Sequence, residues 1–216
     1  MAEEDSFHLD ILKGLAVYFD SPLVADIRET ARRFPDPALG YALNHNQITS
    51  KKWLVDSLFD ATGDDVGRVC VLGGWYGVLA AMLLHDRRFT VASVLSVDLD
   101  PACAAVADSL NRTHAENGRF QSLTADMLEM DYRDAGYDLV INTSCEHLAA
   151  IGEWFGRIPK GMLLALQSND YYGIEGHVNC VDDLDAFKRQ VPLAEPLFEG
   201  ALELSAYTRF MVIGRK

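Results

Sequence analysis

The sequence is poor in cysteine, in basic charge and in long apolar runs, and each shortage argues against a class of protein. Its 4 cysteines among 216 residues are far apart and form no CxxC pair, which argues against a disulfide framework or a zinc knuckle. No apolar stretch approaches the ~18 residues that a transmembrane helix needs. The first ten residues, MAEEDSFHLD, are acidic where a signal peptide would be positively charged. We therefore expect a cytoplasmic protein with no membrane partner.

Basic residues are outnumbered, with 19 Lys and Arg against 32 Asp and Glu and a formal net charge of −13. Phosphate recognition normally rests on clustered Lys and Arg, so this balance argues against nucleic acid as the main partner. Apolar residues make up 49% and charged residues 24% of the chain, values that are ordinary for a globular protein. The composition favours a protein that acts on a small molecule. It leaves the oligomeric state open.

The first part of the chain has helical patterning. Apolar residues recur at helical spacing from Phe7 to Tyr18 and predict a first helix. Ser21 followed by proline predicts the start of a second helix, which ends before Pro35. Residues 35–46 read as irregular, and a third helix capped by Thr49 or Ser50 follows. We assign residues 1–46 to an N-terminal helical extension that acts as a lid.

From residue 68 onward, short apolar runs alternate with helical segments, which is typical of a parallel sheet covered on both faces. Two further runs near the C-terminus are separated by only Ser205 and Ala206, so they must form a hairpin in which one strand is antiparallel to the rest. We predict an α/β, Rossmann-like domain over residues 47–216. Its mostly parallel seven-stranded sheet would end in a C-terminal antiparallel hairpin, with helices on both faces.

A glycine-rich turn lies between the first strand and the helix that follows it. Gly73, Gly74 and Gly77 let the backbone approach a ligand closely, and the helix start behind them offers free N–H groups. Asp98 closes the second strand, where a carboxylate can accept hydrogen bonds from ribose hydroxyls. Each feature alone fits a tight turn or a helix cap. Because ligands of such sheets bind beyond the carboxyl ends of the strands, the combination favours a nucleotide-like cofactor in one crevice.

The turn carries neither of the common phosphate-binding patterns, since it reads GGWYG rather than GxGxxG and GK[ST] is absent. The segment VCVLGGWYG at 69–77 instead resembles the first motif of the class I S-adenosylmethionine-dependent methyltransferases. The resemblance covers about residues 47–214. It extends through VDLDP at 97–101, ADM at 125–127, YDLVIN at 137–142 with EHL at 146–148, and IPKGMLL at 158–164. It implies a methyltransferase that converts S-adenosyl-L-methionine to S-adenosyl-L-homocysteine.

The resemblance implies which residues hold that cofactor. They lie in the glycine-rich turn, at the end of the second strand, at the adenine-contacting pair and after the fourth strand: Gly73, Gly74, Trp75, Tyr76, Gly77, Asp98, Leu99, Asp126, Met127, Asn142 and Ser144. Ser50 and Lys51 would hold the cofactor carboxylate through helix N–H groups and charge, or are only a cap and a solvated lysine. Trp75 and Tyr76 offer aromatic faces to the cationic sulfur, or simply pack against a helix.

Two residues depart from the family's first motif. Trp75 stands where the middle glycine usually lies, and Val71 replaces an acidic residue two positions before the first glycine. We expect Trp75 to crowd the space that phosphates would need while leaving room for a methionine-sized tail. The missing acid leaves open how the amino group of the cofactor is held.

Polar residues after the fourth and fifth strands supply the candidates for acceptor chemistry. Methyl transfer needs an aligned nucleophile and a destination for its proton. Glu146 or His147 is the candidate general base, or both merely buttress their loop. The segment after the fifth strand is predicted to contact the substrate through Asn169, Tyr171, Tyr172 and His177. No metal site is expected, because His177-x-x-Cys180 supplies only two ligands.

The favoured function is methyl transfer to a nitrogen or oxygen of a small polar acceptor. Three alternatives stay open at this point. One is transfer of the aminocarboxypropyl or aminopropyl arm, as in nicotianamine-synthase-like enzymes. Another is methylation of a macromolecule such as RNA or protein, for which the basic residues are too scattered to indicate a binding surface. The third is a partner protein that keeps the fold without binding the cofactor.

Overall fold

The computed structural model of the chain describes residues 7–35 and 37–216. Residues 1–6 lie outside the described residues, and part of the argument against a signal peptide rests on them. Asp36, in the segment predicted to be irregular, also lies outside the described residues. Nine α-helices are found in the described ranges: α1 (Phe7–Phe19), α2 (Pro22–Arg33), α3 (Pro37–Ala42), α4 (His45–Thr62), α5 (Val78–His85), α6 (Ala102–Leu110), α7 (Arg112–Ala115), α8 (Ile151–Arg157) and α9 (Leu184–Gln190). None of these helices is both long and apolar enough to cross a membrane.

Seven strands form one sheet: β1 (Asp65–Leu72), β2 (Thr90–Asp98), β3 (Phe120–Thr124), β4 (Leu139–Asn142), β5 (Leu163–Asn169), β6 (Glu195–Glu203) and β7 (Thr208–Arg215). Their order across the sheet is β3-β2-β1-β4-β5-β7-β6. The first five are parallel to one another, and β7 pairs antiparallel with both β5 and β6. The predicted fold class, including the C-terminal hairpin, is confirmed.

Two apolar layers cover the sheet because successive strand residues point to opposite faces. Val69 and Val71 of β1 face α4 and α5, whereas the alternate residues of the strand face α8 and α9, where Trp154 and Phe187 are buried. All residues of β4 and β5 are buried. Burial on both faces explains why these strands read as continuous apolar runs rather than as an alternating pattern.

The structure corrects two predictions about the helices before β1. Residues predicted to be irregular contain the short helix α3 (Pro37–Ala42). Helix α4 begins at His45, one turn before the predicted cap at Thr49 or Ser50, because the Asn44 side chain accepts a hydrogen bond from the N–H of Gln47 at 2.9 Å. Asparagine is as good an N-cap as serine, and the sequence offered both. The predicted end of this helix at Gly63 is confirmed.

The N-terminal helices are attached to the domain by a buried polar contact. Asp26 of α2 is fully buried, and its carboxylate accepts hydrogen bonds from the Arg112 guanidinium at 2.8 Å and from the Thr113 N–H at 3.1 Å. Helix α1 packs on α2 and has no buried residue, so its apolar stripe from Phe7 to Tyr18 is largely exposed. The division into a lid over 1–46 and a domain over 47–216 stays a prediction.

Candidate active site

A cavity of about 830 Å³ lies at the carboxyl ends of the parallel strands. It is lined by segments that follow β1, β2, β3, β4 and β5, by the start of α4 and by the beginning of β7. Cavities of this size accommodate ligands as large as a cofactor with a small substrate. We call the part beside β1, β2 and β3 the cofactor end, lined by Gly73, Gly74, Trp75, Asp98, Leu99, Asp126 and Met127. We call the part beside β4, β5 and β7 the acceptor end, lined by Glu146, His147, Asn169, Tyr171, His177, Tyr207 and Arg209.

At the cofactor end, Asp98 is locked to the glycine-rich turn. One carboxylate oxygen accepts the Trp75 N–H at 2.8 Å and the other accepts the Asp100 N–H at 3.0 Å. Each carboxylate oxygen has a second lone-pair site, so the group can still accept hydrogen bonds from a ligand. The carboxylate therefore fixes the turn while lining the cavity.

Close packing requires glycine in the turn. A Cβ at Gly74 would collide with Oγ of Ser96, and one at Gly73 would lie 2.5 Å from Oγ of Ser144. The backbone of the turn thus passes directly over the ends of β2 and β4. A side chain at either position would force the neighbouring serine or the turn itself to shift.

Trp75 has a left-handed backbone conformation, with φ of 48°. Non-glycine residues rarely adopt this conformation, because the Cβ then crowds the following carbonyl oxygen. The strain is held by the hydrogen bond from its N–H to Asp98 and by stacking of its ring on Tyr76, with centroids 5.1 Å apart. The turn therefore keeps the backbone shape that glycine normally provides and adds an aromatic face to the cavity wall.

Asp126 begins a tight turn after β3, where its side chain accepts the N–H of Leu128 at 2.8 Å. Met127 lies beside it, and its sulfur contacts the side-chain nitrogen of Asn142 at 3.5 Å. Leu99, directly after β2, is 70% exposed within the open cavity wall. These residues surround the space above β2 and β3 where the resemblance predicts an adenine ring.

At the acceptor end, Glu146 is buried and paired with Arg209. Its Oε1 accepts the Arg209 guanidinium at 2.6 Å and the side-chain amide of Asn169 at 2.7 Å. Both Glu146 and Arg209 are more than nine-tenths buried. Arg209 also donates to the backbone oxygen of Thr143 at 2.7 Å. The cluster ties the loop after β4 to the ends of β5 and β7.

Two histidines lie edge to face beside this cluster, with His147 and His177 ring centroids 4.6 Å apart. Nδ1 of His147 lies 2.9 Å from the backbone oxygen of Gly176, and Nδ1 of His177 lies 2.8 Å from the backbone oxygen of Tyr171. Since a carbonyl oxygen only accepts, each Nδ1 carries the proton in these contacts. The lone pair of each ring is then on Nε2.

Lys51 reaches the cavity from the second turn of α4, and its Nζ donates to the side chain of Gln47 at 2.5 Å. Burial, together with the positive charge of Arg209, lowers the pKa of this lysine to about 7, and the negative charge of Glu146 opposes that shift. The side chain therefore titrates near neutrality at the edge of the acceptor end.

Five of the residues predicted for the site do not line the cavity. Ser50 is buried and its hydroxyl donates to Gln167, and because α4 starts at His45 its N–H is not a free helix-start group. Asn142 is fully buried, and its side-chain oxygen accepts the N–H of Ser144, a contact that holds the loop after β4 in place. Gly77 is the N-cap of α5. Tyr76 lines a separate small cavity beside α2, so its ring is not presented to the main cavity. Tyr172 is 55% exposed, with its hydroxyl bonded to Asp182.

The predicted residues that do meet around the cavity are Lys51, Gly73, Gly74, Trp75, Asp98, Leu99, Asp126, Met127, Ser144, Glu146, His147, Asn169, Tyr171 and His177. Sequence reasoning missed Arg209 and Tyr207, because nothing in a strand pattern marks a residue as facing a distant loop. It also missed Asn44, which caps α4 at the cavity wall. The available signal was an asparagine five or six residues before the predicted cap at Thr49 or Ser50.

Solved structures with similar folds were found. The N-methyltransferase NodS from Bradyrhizobium japonicum WM9, in complex with S-adenosyl-L-homocysteine, has a TM-score of 0.61 and 12% identity over 88% of this chain and 96% of that one. Geranyl diphosphate C-methyltransferase from Streptomyces coelicolor A3(2) has a TM-score of 0.59 and 14% identity over 83% and 84%. The small RNA methyltransferase HEN1 has a TM-score of 0.58 and 15% identity over 77% of this chain and 25% of that one.

No protein-family model and no curated protein matches the sequence. At 12–15% identity the structural likeness establishes the fold alone. The chain has the fold of the S-adenosylmethionine-dependent methyltransferases, with the sheet order and antiparallel hairpin described above.

Proposed function

We propose that the protein is an enzyme that binds S-adenosyl-L-methionine at the cofactor end of the cavity and transfers its methyl group to a small polar acceptor. The observation that carries the proposal is the Asp98 carboxylate, which lies at the end of β2 and holds the turn after β1 at 2.8 Å in the wall of the cavity. An acid in this place suits the two hydroxyls of a ribose. A structure with the same fold, NodS, was crystallised with S-adenosyl-L-homocysteine.

The cofactor would lie across the ends of β1, β2 and β3. Its ribose would bind Asp98, its adenine would lie between Leu99 and the Asp126–Met127 pair, and its methionine tail would extend past Trp75. Lys51, in the second turn of α4, lines this cavity. Its ammonium group would pair with the carboxylate of the cofactor. The face of Trp75 would favour the positive sulfur.

The acceptor would bind at the other end of the cavity, among Asn169, Tyr171, His177 and Arg209. These side chains offer hydrogen-bond donors and acceptors in a partly enclosed space, which supports a polar acceptor. The net charge of −13 supports a small molecule rather than a polyanion. The similar folds include an N-methyltransferase, a geranyl diphosphate C-methyltransferase and a small RNA methyltransferase. The acceptor end is therefore the part of this chain that would set its substrate.

Methyl transfer is a displacement at carbon, so the enzyme must align the acceptor atom with the methyl–sulfur bond and take up a proton. Glu146 is engaged by Arg209 and Asn169, and we assign it to positioning the loop after β4. His147 has an available Nε2, since its Nδ1 donates to the Gly176 oxygen at 2.9 Å. In a metal-free reaction His147 would accept the proton of the acceptor.

The test starts with titration calorimetry of the full chain with S-adenosyl-L-homocysteine. We expect one binding site, and absence of binding would identify a protein that keeps the fold without the cofactor. Incubation with S-adenosyl-L-methionine and candidate acceptors should then release S-adenosyl-L-homocysteine, detected by mass spectrometry. Release of a methylthio-nucleoside instead would establish transfer of the aminocarboxypropyl arm and overturn the proposal of methyl transfer. The same product from decarboxylated S-adenosyl-L-methionine would establish transfer of the aminopropyl arm.

A further inference from the structure

The acceptor end brings two imidazoles and a carboxylate together. One carboxylate oxygen of Glu146 and one ring nitrogen each of His147 and His177 lie within 4.8 Å of one another. Glu146 and His147 belong to the short 3-10 turn after β4, and His177 belongs to the segment between β5 and α9. Two imidazoles and one carboxylate form a ligand set that divalent transition metals use in proteins. The pairing considered from the sequence, His177 with Cys180, missed this convergence of two loops.

Both imidazoles are oriented as metal ligands usually are. A ligating histidine typically donates its other ring N–H to a backbone carbonyl or a carboxylate, which fixes the tautomer and the ring direction. Here Nδ1 of His147 donates to the Gly176 oxygen at 2.9 Å and Nδ1 of His177 donates to the Tyr171 oxygen at 2.8 Å. Gly176 has a φ of 83°, and a Cβ there would lie 3.2 Å from Nδ1 of His147. Glycine thus allows the carbonyl to approach the ring.

Glu146 supplies an independent observation. Its Oε1 is occupied by Arg209 and Asn169, but its Oε2 is buried and has no hydrogen-bond partner among the described residues. A buried carboxylate oxygen without a partner costs free energy, and such groups call for an explanation such as a bound ion. The residue is only 3% exposed and lines the cavity. A cation bound to Oε2 would satisfy it.

The positive charge of Arg209 would repel a cation bound beside Glu146. Its Nη1 contacts Oε1 of Glu146 at 2.6 Å, and its Nη2 is used by the backbone oxygen of Thr143. The guanidinium thus engages the other carboxylate oxygen and leaves Oε2 as the ligand atom. Because it neutralises part of the carboxylate charge, we expect weaker binding than at a cluster with an unpaired glutamate.

We propose that Glu146, His147 and His177 bind a divalent transition-metal ion of the Zn²⁺, Fe²⁺ or Mn²⁺ class through one carboxylate oxygen and two imidazole nitrogens. Three protein ligands leave coordination positions open for water and for one atom of the acceptor, as in catalytic metal sites. The ion would lie in the same cavity as the cofactor end. The acceptor would then be a molecule with an oxygen or nitrogen that can ligate a metal.

The role of this ion in catalysis rests on the proposed function. Ligation would lower the pKa of an acceptor hydroxyl, whose proton would pass to solvent. The ligated oxygen would then form a bond to the methyl carbon as the carbon–sulfur bond breaks, and sulfur would keep the electron pair as S-adenosyl-L-homocysteine leaves. With the ion bound, His147 is a ligand rather than the proton acceptor.

The test uses the full chain without an affinity tag, stripped of metal and titrated with Co²⁺ alone while the visible d–d absorption is recorded. We expect saturation at one equivalent. His177→Ala and His147→Ala should each weaken Co²⁺ binding by more than about tenfold, since loss of even a group that supports a ligand costs that much. His8→Ala, at an exposed histidine of α1, is the matched control and should bind Co²⁺ like the wild type.

Circular dichroism of each variant checks that it is folded, and His177→Ala keeps the Glu146–Arg209 pair intact. Absence of Co²⁺ binding to the folded wild type, or unchanged binding in the His147→Ala/His177→Ala double variant, would overturn the proposal. Calorimetry with S-adenosyl-L-homocysteine separates the two proposals. If that ligand binds and Co²⁺ does not, the proposed cofactor site stands and the metal site is wrong. If only Co²⁺ binds, with the expected variant pattern, the metal site stands and the proposed cofactor site is wrong.

Discussion

The two ends of the cavity are built in different ways. At the cofactor end, the main contact joins Trp75 to Asp98, only 23 residues apart, across the neighbouring parallel strands β1 and β2. At the acceptor end, Glu146 and Arg209 are 63 residues apart. Glu146 follows β4 and Arg209 lies in β7, and β5 lies between these two strands in the sheet. One end is a local strand–turn–helix arrangement, and the other is assembled by the whole sheet.

The two ends also present different chemical groups to a ligand. The cofactor end holds its shape with backbone N–H groups and glycines, and only Asp98 and Asp126 contribute charge. The acceptor end holds a buried ion pair, two imidazoles and an amide, which are side-chain groups that depend on one another for partners. A ligand site made of backbone suits a constant cofactor, whereas a side-chain cluster can change with the substrate.

Breaking the buried ion pair should have the largest effect. Arg209→Met leaves Glu146 as an unpaired buried charge, and we expect the free energy of unfolding to fall by about 3–5 kcal/mol. Urea denaturation followed by circular dichroism measures it. The Glu146→Gln/Arg209→Met double variant should recover at least half of the loss. Lys188→Met, which breaks an exposed pair with Glu199, should leave stability unchanged; an equal loss there would contradict the role of burial.

Removing the acid at the cofactor end should act on affinity instead. Asp98→Ala deletes the predicted ribose acceptor and the contact to the Trp75 N–H, and we expect binding of S-adenosyl-L-homocysteine to weaken by about 1.5–3 kcal/mol, the range for hydrogen bonds to charged groups. Calorimetry provides the measurement. Asp100→Ala is the matched control, because Asp100 is exposed and, among the described residues, its side chain accepts only the Ala102 N–H at the start of α6. Equal affinities in the two variants would remove the ribose assignment.

The pKa of Lys51 links the two ends. If its ammonium pairs with the cofactor carboxylate, affinity for S-adenosyl-L-homocysteine should fall as pH rises above the pKa of about 7, by up to about tenfold per pH unit. Affinity falls because the lysine loses its positive charge above this pKa. Calorimetry between about pH 7 and 8 avoids most histidine titration. Lys51→Met should flatten the profile, whereas Lys52→Met, at an exposed lysine paired with Asp56, should keep it.

The smallest effect concerns the strained turn. Since Trp75 has a φ of 48°, Trp75→Gly should be more stable than Trp75→Ala by about 1 kcal/mol, the approximate cost of a Cβ in the left-handed region. Both variants lose the ring stacked on Tyr76, so their difference isolates the backbone. Thermal unfolding of the pair gives the comparison. If the alanine variant were the more stable, as at ordinary positions, the strain would not exist in solution.

Residues that the sequence predicted for the cofactor end line one cavity for a definite reason. The spacing from Gly73 to Asp98 is set by one helix and one strand, so residues along the chain map directly onto neighbouring positions in space. Trp75 is instructive, because the family pattern marked it as a departure and the structure finds it in the left-handed conformation that glycine adopts most readily. Tyr76, the next residue, lines the separate small cavity beside α2 instead.

By itself, the sequence determined the alternation of strands and helices, the C-terminal hairpin and a crevice at the carboxyl ends of the strands, because hydrophobic periodicity and turn residues act over short spans of chain. Only the tertiary structure decided that Asn44 caps α4, that Arg209 meets Glu146, and that His147 and His177 lie edge to face. Those contacts depend on the order of β4, β5 and β7 in the sheet. Strand order is a property of long-range packing, which no local pattern of residues encodes.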